Sequence, residues 1–174
     1  VGEWTTLIEG ATTGRFTVPL SLSSTGSNPV AIGHHKGVRI VLGKAGLDGH
    51  NNAIKLLAVA CRNAGMEVIF AGIRASARTL VKAAIEEDAS IIGVSCLSGA
   101  HKTIAEQILK AKQDLGAPDL RIVMGGLIPK QDVGVLSHLG VDLVVPTGNG
   151  TIDDAVRQIS ALVHSVGSPL SRTA

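Results

Sequence analysis

Tyrosine is absent from the 174 residues, and Trp4, Phe16 and Phe70 are the only aromatic side chains, 2% of the chain. A core this poor in rings must be filled by aliphatic residues and alanine. Modules that stack nucleic-acid bases on aromatic platforms are disfavoured for the same reason. An excess of charge is missing too: 16 Lys and Arg against 14 Asp and Glu leave a formal net charge of +2. No basic run offers itself to a polyanion, so no nucleic-acid partner is implied. No apolar stretch reaches the ~18 residues of a membrane span, and the N-terminus lacks a signal peptide's basic-then-apolar order. Cys61 and Cys96 stand apart, without a CxxC or a Cys/His cluster. That excludes a disulfide scaffold and a structural zinc site, and it suits a reducing cytoplasm. The chain opens on Val1 rather than Met, which reads as a trimmed, processed or fragmentary start. What is present is 45% apolar and 17% charged residues, with a mean hydropathy of +0.33. That balance is ample for one domain with one buried core.

A break in composition falls near residue 36. Residues 1–36 are rich in Thr, Ser and Gly and read as an arm or tether; residues 37–174 read as the domain. From there short apolar runs recur: 38–42 (VRIVL), 67–71 (EVIFA), 90–95 (SIIGVS), 120–124 (LRIVM) and 142–145 (DLVV). Such runs, bounded by Gly and polar residues, are the mark of strands buried on both faces. Helical patterns separate them. Residues 52–64 are apolar almost all round and are expected to be well buried. Residues 76–88 place Leu80, Val81, Ala84 and Ile85 on one side, and 99–115 carry Ile104, Ile108 and Leu109 inward. Residues 129–139 open with Pro at a first-turn position. Thr151 and Asp154 form a capping-box pattern ahead of an apolar stripe from Ile152 to Leu162. Strand and helix alternating with short connections imply right-handed parallel crossovers and a three-layer α/β fold. Five such units favour a flavodoxin-like sheet with strand order 2-1-3-4-5.

In open α/β sheets, ligands bind beyond the carboxyl ends of the strands, where strand order reverses. Glycines and polar residues gather at that edge: 43–50 (GKAGLDGH) after strand 1, 95–99 (SCLSG) after strand 3, Gly125-Gly126 after strand 4 and 148–151 (GNGT) after strand 5. Any one of these loops needs Gly and caps anyway; four on one edge favour a large ligand. The loops lack GxGxxG and the acid at the end of strand 2 that a dinucleotide site wants, and they lack GxxxxGK[ST]. Ser95 stands where a phosphoacceptor receiver carries an Asp, and aromatic walls for a flavin are missing. The first loop instead offers Asp48-x-His50 with Lys44 ahead of the Asp. A metal-ligating histidine needs a partner on its other ring nitrogen, usually a carboxylate. One protein ligand cannot hold a bare ion, so a single relayed His suits a metal already caged in a cofactor. The plainer alternative is a capping Asp beside a solvent-exposed His.

These residues make the chain resemble the cobalamin-binding domain of the methylmalonyl-CoA mutase family of acyl-CoA mutases. The family's D-x-H-x-x-G, S-x-L and G-G appear as Asp48-Gly49-His50, Ser95-Cys96-Leu97 and Gly125-Gly126. The segments 98–103 (SGAHKT) and 125–132 (GGLIPKQD) match as well, and the likeness runs over roughly residues 37–165. The resemblance implies adenosylcobalamin bound base-off, with His50 below cobalt, Asp48 hydrogen-bonded to it and Lys44 beside Asp48. It implies a cofactor pocket from Gly46, Asp48, Gly49, His50, Asn51, Asn52, Ala53, Ser95, Leu97, Ser98, Gly99, His101, Gly125, Gly126, Leu127, Ile128, Thr147, Gly148, Gly150 and Thr151. The cofactor would supply a 5′-deoxyadenosyl radical for a 1,2-rearrangement of an acyl-CoA skeleton, with Lys44, Asp48 and His50 as the catalytic relay.

Asn51-Asn52-Ala53 departs from the family's Asp-Arg-Gly, so a charge is lost and the Ala53 methyl enters where backbone usually approaches the cofactor. The (β/α)8 barrel that would hold the CoA thioester does not fit in this length. The chain is therefore expected to be a small subunit or excised domain that serves a large barrel subunit, as a heterotetramer of two large and two small chains. Alternatives are a corrinoid protein of a methyltransferase system and a non-catalytic cobalamin carrier or sensor. Of the remaining histidines, His101 stands at a helix start on the ligand edge, whereas His34, His35, His138 and His164 read as surface residues. Cys96 reads as a small buried residue rather than a thiolate.

Overall fold

Every one of the five apolar runs is a strand in the computed structural model, which describes residues 37–45, 52–96 and 99–164. The elements are β1 (Arg39–Ala45), α1 (Asn52–Asn63), β2 (Glu67–Ala75), α2 (Ala77–Glu86), β3 (Ile91–Cys96), α3 (His101–Asp114), β4 (Arg121–Gly126), α4 (Lys130–Leu139), β5 (Leu143–Pro146) and α5 (Ile152–His164). All pairings are parallel and the order is β2-β1-β3-β4-β5, as the alternation predicts. The arm expected over residues 1–36 lies outside the described residues.

Alternation along the strands assigns the two faces. Val41, Ile92, Val94, Ile122 and Met124 pack under α2, α3 and α4. Ile40, Leu42, Ile91 and Val123 pack under α1 and α5. Ile40, Val41, Leu42, Ile91, Ile92 and Ile122 are wholly buried, and each contributes about 1.5–3 kcal/mol of apolar transfer. The aliphatic core expected from the lack of rings is what is found.

Three expectations need correction. First, β1 does not stop at Leu42: Gly43 and Lys44 stay in register with Val94 and Ser95 of β3, and the strand runs on to Ala45. The first loop therefore begins later than Gly43. Likewise Gly125 and Gly126 are the end of β4, paired with Ser95 and Cys96, not a loop after it. β2 also continues to Ala75, through register shifts against β1 and an Arg74 at φ 63°. Second, α1 is not buried all round. Only Ile54 and Cys61 are buried, while Leu56 and Val59 are 57% and 45% exposed, because a helix lying on one sheet face covers a single stripe. Ile85 of α2 is turned outward for the same reason. Third, Pro129 occupies the cap position before α4 rather than its first turn. The capping box is as expected: Thr151 N and Oγ1 both donate to Asp154 Oδ2 at 2.8 Å, and Asp154 N donates to Thr151 Oγ1 at 3.2 Å.

Candidate functional site

Parallel strands place laterally paired residues on the same face of the sheet. On the α1/α5 face, one rung reads Leu42, Gly93, Val123 and Leu143; the next toward the carboxyl edge reads Lys44, Ser95, Gly125 and Val145. At the middle of these rungs three positions carry little or no side chain: Gly93, Ser95 and Gly125. The helices that cross this face cannot close onto missing side chains. A slot of about 310 Å³ remains, between α1 (Ala53, Ile54, Leu56, Leu57) and α5 (Ile152, Ala155, Ile159), and the loop from Thr147 to Thr151 forms its rim. That volume is at the lower end of small-molecule sites, and the lining is mostly apolar, as such sites are.

The glycines are not interchangeable. A Cβ at Gly93 would lie 2.4 Å from Leu42 Cδ2, and one at Gly125 would lie 3.3 Å from the Val145 carbonyl oxygen. The space a Gly93 side chain would need is already taken by Leu42, whereas a side chain at Gly125 would rise into the slot. Gly126 answers to the chain itself. At φ 124° its Cβ would sit 2.0 Å from the Cys96 carbonyl oxygen, so backbone crowding, not a ligand, dictates glycine there. Its carbonyl accepts from Thr147 N at 2.7 Å, which ties the rim to the end of β4. Gly148 and Gly150 have φ of 86° and 105°, as the turn into α5 demands. The Thr151 amide, the Thr151 hydroxyl and the Arg157 guanidinium hold the Asp154 carboxyl down at about 2, so that cap stays ionised.

The slot thus gathers Ala53, Ser95, Gly125, Gly126, Thr147, Gly148, Gly150 and Thr151 of the expected cofactor residues. Asn52, Gly99, His101, Leu127 and Ile128 are not among its lining. Asn52 and Gly99 are exposed at the starts of α1 and α3. Leu127 is 65% exposed, and Ile128 is buried in the opposite core. Gly46, Asp48, Gly49, His50, Asn51, Leu97 and Ser98 lie outside the described residues. Lys44 is wholly buried at the end of β1, on the face that holds the slot. A buried ammonium persists only where it is paired; its expected partner, Asp48, is outside the described residues.

His101 turns elsewhere. At the first position of α3 and 4% exposed, it sends Nε2 to Asp132 Oδ2 on α4 at 2.9 Å. Lys102 Nζ reaches the other Asp132 oxygen at 2.7 Å. Hydrogen bonds from Lys102 and then His101 hold the Asp132 carboxyl below its usual range. The pairing was invisible in the sequence, where His101 and Asp132 stand 31 residues apart. The apolar slot walls were also missed, although Gly93, alone inside an apolar run, carried the signal. His138 is exposed, with Nδ1 against the Gly134 carbonyl at 2.7 Å, and Cys96 is buried.

Comparison with known proteins decides the family. The model of the B12 binding domain matches residues 38–156. The chain belongs to the B12-binding domain family. It is 39% identical over 126 residues to the 2-hydroxyisobutanoyl-CoA mutase small subunit of Aquincola tertiaricarbonis, covering 71% of this chain and 93% of that one. It is 33% identical to the ethylmalonyl-CoA mutase of Methylorubrum extorquens, covering 72% of this chain but 18% of that protein. The chain therefore spans nearly all of one relative and less than a fifth of the other. Among solved structures, a cobalamin-binding protein from Desulfitobacterium hafniense DCB-2 superposes with a TM-score of 0.63 at 21% identity. The match covers 73% of this chain and 59% of that one, a likeness of fold. The residues present fit a cobalamin: Ser95 and Gly125 leave a cradle on the sheet that larger side chains would fill. Among the described residues no helix is long and apolar enough to cross a membrane.

Proposed function

We propose that this B12-binding domain is the cofactor-carrying small subunit of an adenosylcobalamin-dependent acyl-CoA mutase, with His50 as the lower ligand of a base-off cobalamin. The observation that carries the reading is the slot. It lies on the β3 and β4 side of the carboxyl edge, floored by Gly93, Ser95 and Gly125, and is the right kind of space for the cofactor's displaced nucleotide tail. In the sequence His50 follows the end of β1 by five residues, and β1 ends at that edge. Asp48 fixes the tautomer of His50, and Lys44, fixed on the last rung of β1, keeps Asp48 ionised.

When bound, adenosylcobalamin supplies a 5′-deoxyadenosyl radical for rearrangement of a carbon skeleton. The residues of this chain do the holding. The slot walls would keep water from the tail, the Thr147–Thr151 loop would line its rim, and the Lys44–Asp48–His50 relay would set the ligand's orientation. The acyl-CoA and the enclosure of the radical belong to a separate large chain with a (β/α)8 barrel, two copies of each chain making the assembly.

Electron paramagnetic resonance of the protein with cob(II)alamin tests the reading. Nitrogen superhyperfine splitting should change when histidine is labelled with ¹⁵N, and His50→Ala should abolish that change. A spectrum carrying the splitting of the cofactor's own benzimidazole would overturn it.

A further inference from the structure

His101 Nδ1 is buried and has no hydrogen-bond partner among the described residues. Such an atom costs the folded protein the full desolvation of a polar group, so its retention asks for a reason. Charge balance does not supply one. Lys102 already reaches Asp132, and His101 brings to that carboxylate only a second hydrogen bond. An ionised carboxylate is an acceptor alone, so the proton of the His101–Asp132 bond belongs to Nε2. In the neutral ring, Nδ1 is then a bare, buried lone pair.

The position is also telling. His101 follows β3 by five residues and Asp132 follows β4 by six. Their bond therefore fastens the segments after the two strands that floor the slot. A further tie runs from Leu127 N to the Cys96 carbonyl at 3.1 Å. The brace sits on the α3/α4 side of the edge, the slot on the α1/α5 side. Both lie at the carboxyl edge of the sheet, the brace after β3 and β4 and the slot over their last rungs.

Resting on the cobalamin reading above, we propose that His101 is a positioning residue for the cofactor. Asp132 and Lys102 hold its ring, and Nδ1 accepts an amide N–H in the bound state that it lacks in the free protein. That amide comes either from a carboxamide on the rim of the corrin or from the chain's own backbone as the edge adjusts around the cofactor.

The full chain, uniformly ¹⁵N-labelled on histidine, is titrated with cobalamin in its diamagnetic cobalt(III) form. The unprotonated ring-nitrogen resonance of His101, assigned by its loss in His101→Phe, should move upfield as the amide engages it. Cobalamin monocarboxylates, in which one rim amide is hydrolysed, separate the sources. One of them fails to move the resonance if a rim carboxamide is the donor, and all move it alike if the backbone is. In parallel, His101→Phe, which removes both the orphaned nitrogen and the bond to Asp132, should still unfold cooperatively without cofactor. It should bind cobalamin roughly three- to tenfold more weakly, the worth of one neutral hydrogen bond. A resonance unmoved by bound cobalamin overturns the proposal, as does a His101→Phe variant with wild-type affinity. Should His101→Phe not fold, the wild-type titration decides, with the resonance assigned through Asp132→Asn. A wild-type chain that binds no cobalamin would instead sink the function proposed above.

Discussion

Gly125→Val should make the cofactor-free protein more stable and the cofactor harder to bind. Gly125 lies in β4 with an ordinary strand φ, so a β-branched residue suits its backbone. Its side chain would rise into the slot between Ser95 and Val145. Three added carbons, each worth ~0.8 kcal/mol if fully buried, contribute about half of that in a slot partly open to water. The 3.3 Å approach of the new Cβ to the Val145 carbonyl takes some of it back. β5 is a four-residue edge strand and can give a few tenths of an ångström. The net is about +1 kcal/mol, a rise in Tm of roughly 3–5 °C for a domain of this size. With the nucleotide tail in the slot the same carbons are surplus. Overpacking at about 1–3 kcal/mol weakens cobalamin binding roughly 5- to 150-fold. Calorimetry of the free protein and absorbance titration with cobalamin give the two signs. Cobinamide, which lacks the tail, is the control and should bind wild type and variant alike. Wild-type affinity of Gly125→Val for cobalamin would refute the placement of the tail, and a fall in Tm would show that the strand, not the slot, was damaged.

Other expectations follow from single groups. Asp48→Asn should weaken cobalamin binding about 10- to 100-fold with the fold intact, as loss of a metal-bound histidine's partner does; equal titration curves would reduce Asp48 to a cap. Thr151→Ala should lower the Tm by roughly 3–5 °C, from the ~1 kcal/mol of a lost N-cap. The Asp154 carboxyl is held at about 2 in the folded chain, against ~3.9 unfolded. Its stabilisation is therefore complete above about pH 4 and fades as pH falls toward 2, so acid unfolding curves of wild type and Asp154→Asn should converge there. Cys61, whose thiol burial pushes up to about 12, should react with iodoacetamide only at the rate of unfolding, and prompt alkylation would contradict the packing of α1.

The topology was legible because its signals are local and repeated. Five apolar runs, each bounded by Gly or polar residues, demanded parallel pairing, and short connections left few orders open. Element ends were less legible. Gly43, Lys44, Gly125 and Gly126 look like loop residues by type, yet ladder bonds to neighbours distant in sequence keep them in strands. No local pattern reports that. Burial of α1 was overread because Leu56 and Val59 say only that the helix is apolar, not which stripe the sheet covers. The site was half visible. Motif residues on the rim were found one by one, but the slot is a property of two lateral rungs. It appears only when register sets Gly93, Ser95 and Gly125 side by side.

That lateral view also explains why the two faces of one sheet do different work. On the α2/α3/α4 face the rung beside the slot reads Gly43, Val94, Met124 and Val144, and the single gap at Gly43 is filled from above. A Cβ there would fall 2.2 Å from Leu80 Cδ2, so α2 has moved a leucine into the space. On the α1/α5 face Leu42 of β1 closes the gap at Gly93, its Cδ2 2.4 Å from a Cβ there, but no side chain does so at Gly125; Ala53 and Ala155, the small residues of the two walls, line that space instead. A core under selection for packing alone fills such gaps, at about 0.8 kcal/mol per methylene. Small residues on floor and walls together therefore mark a volume kept for something else, and Leu80 shows that this fold has the means to close a gap where none is needed.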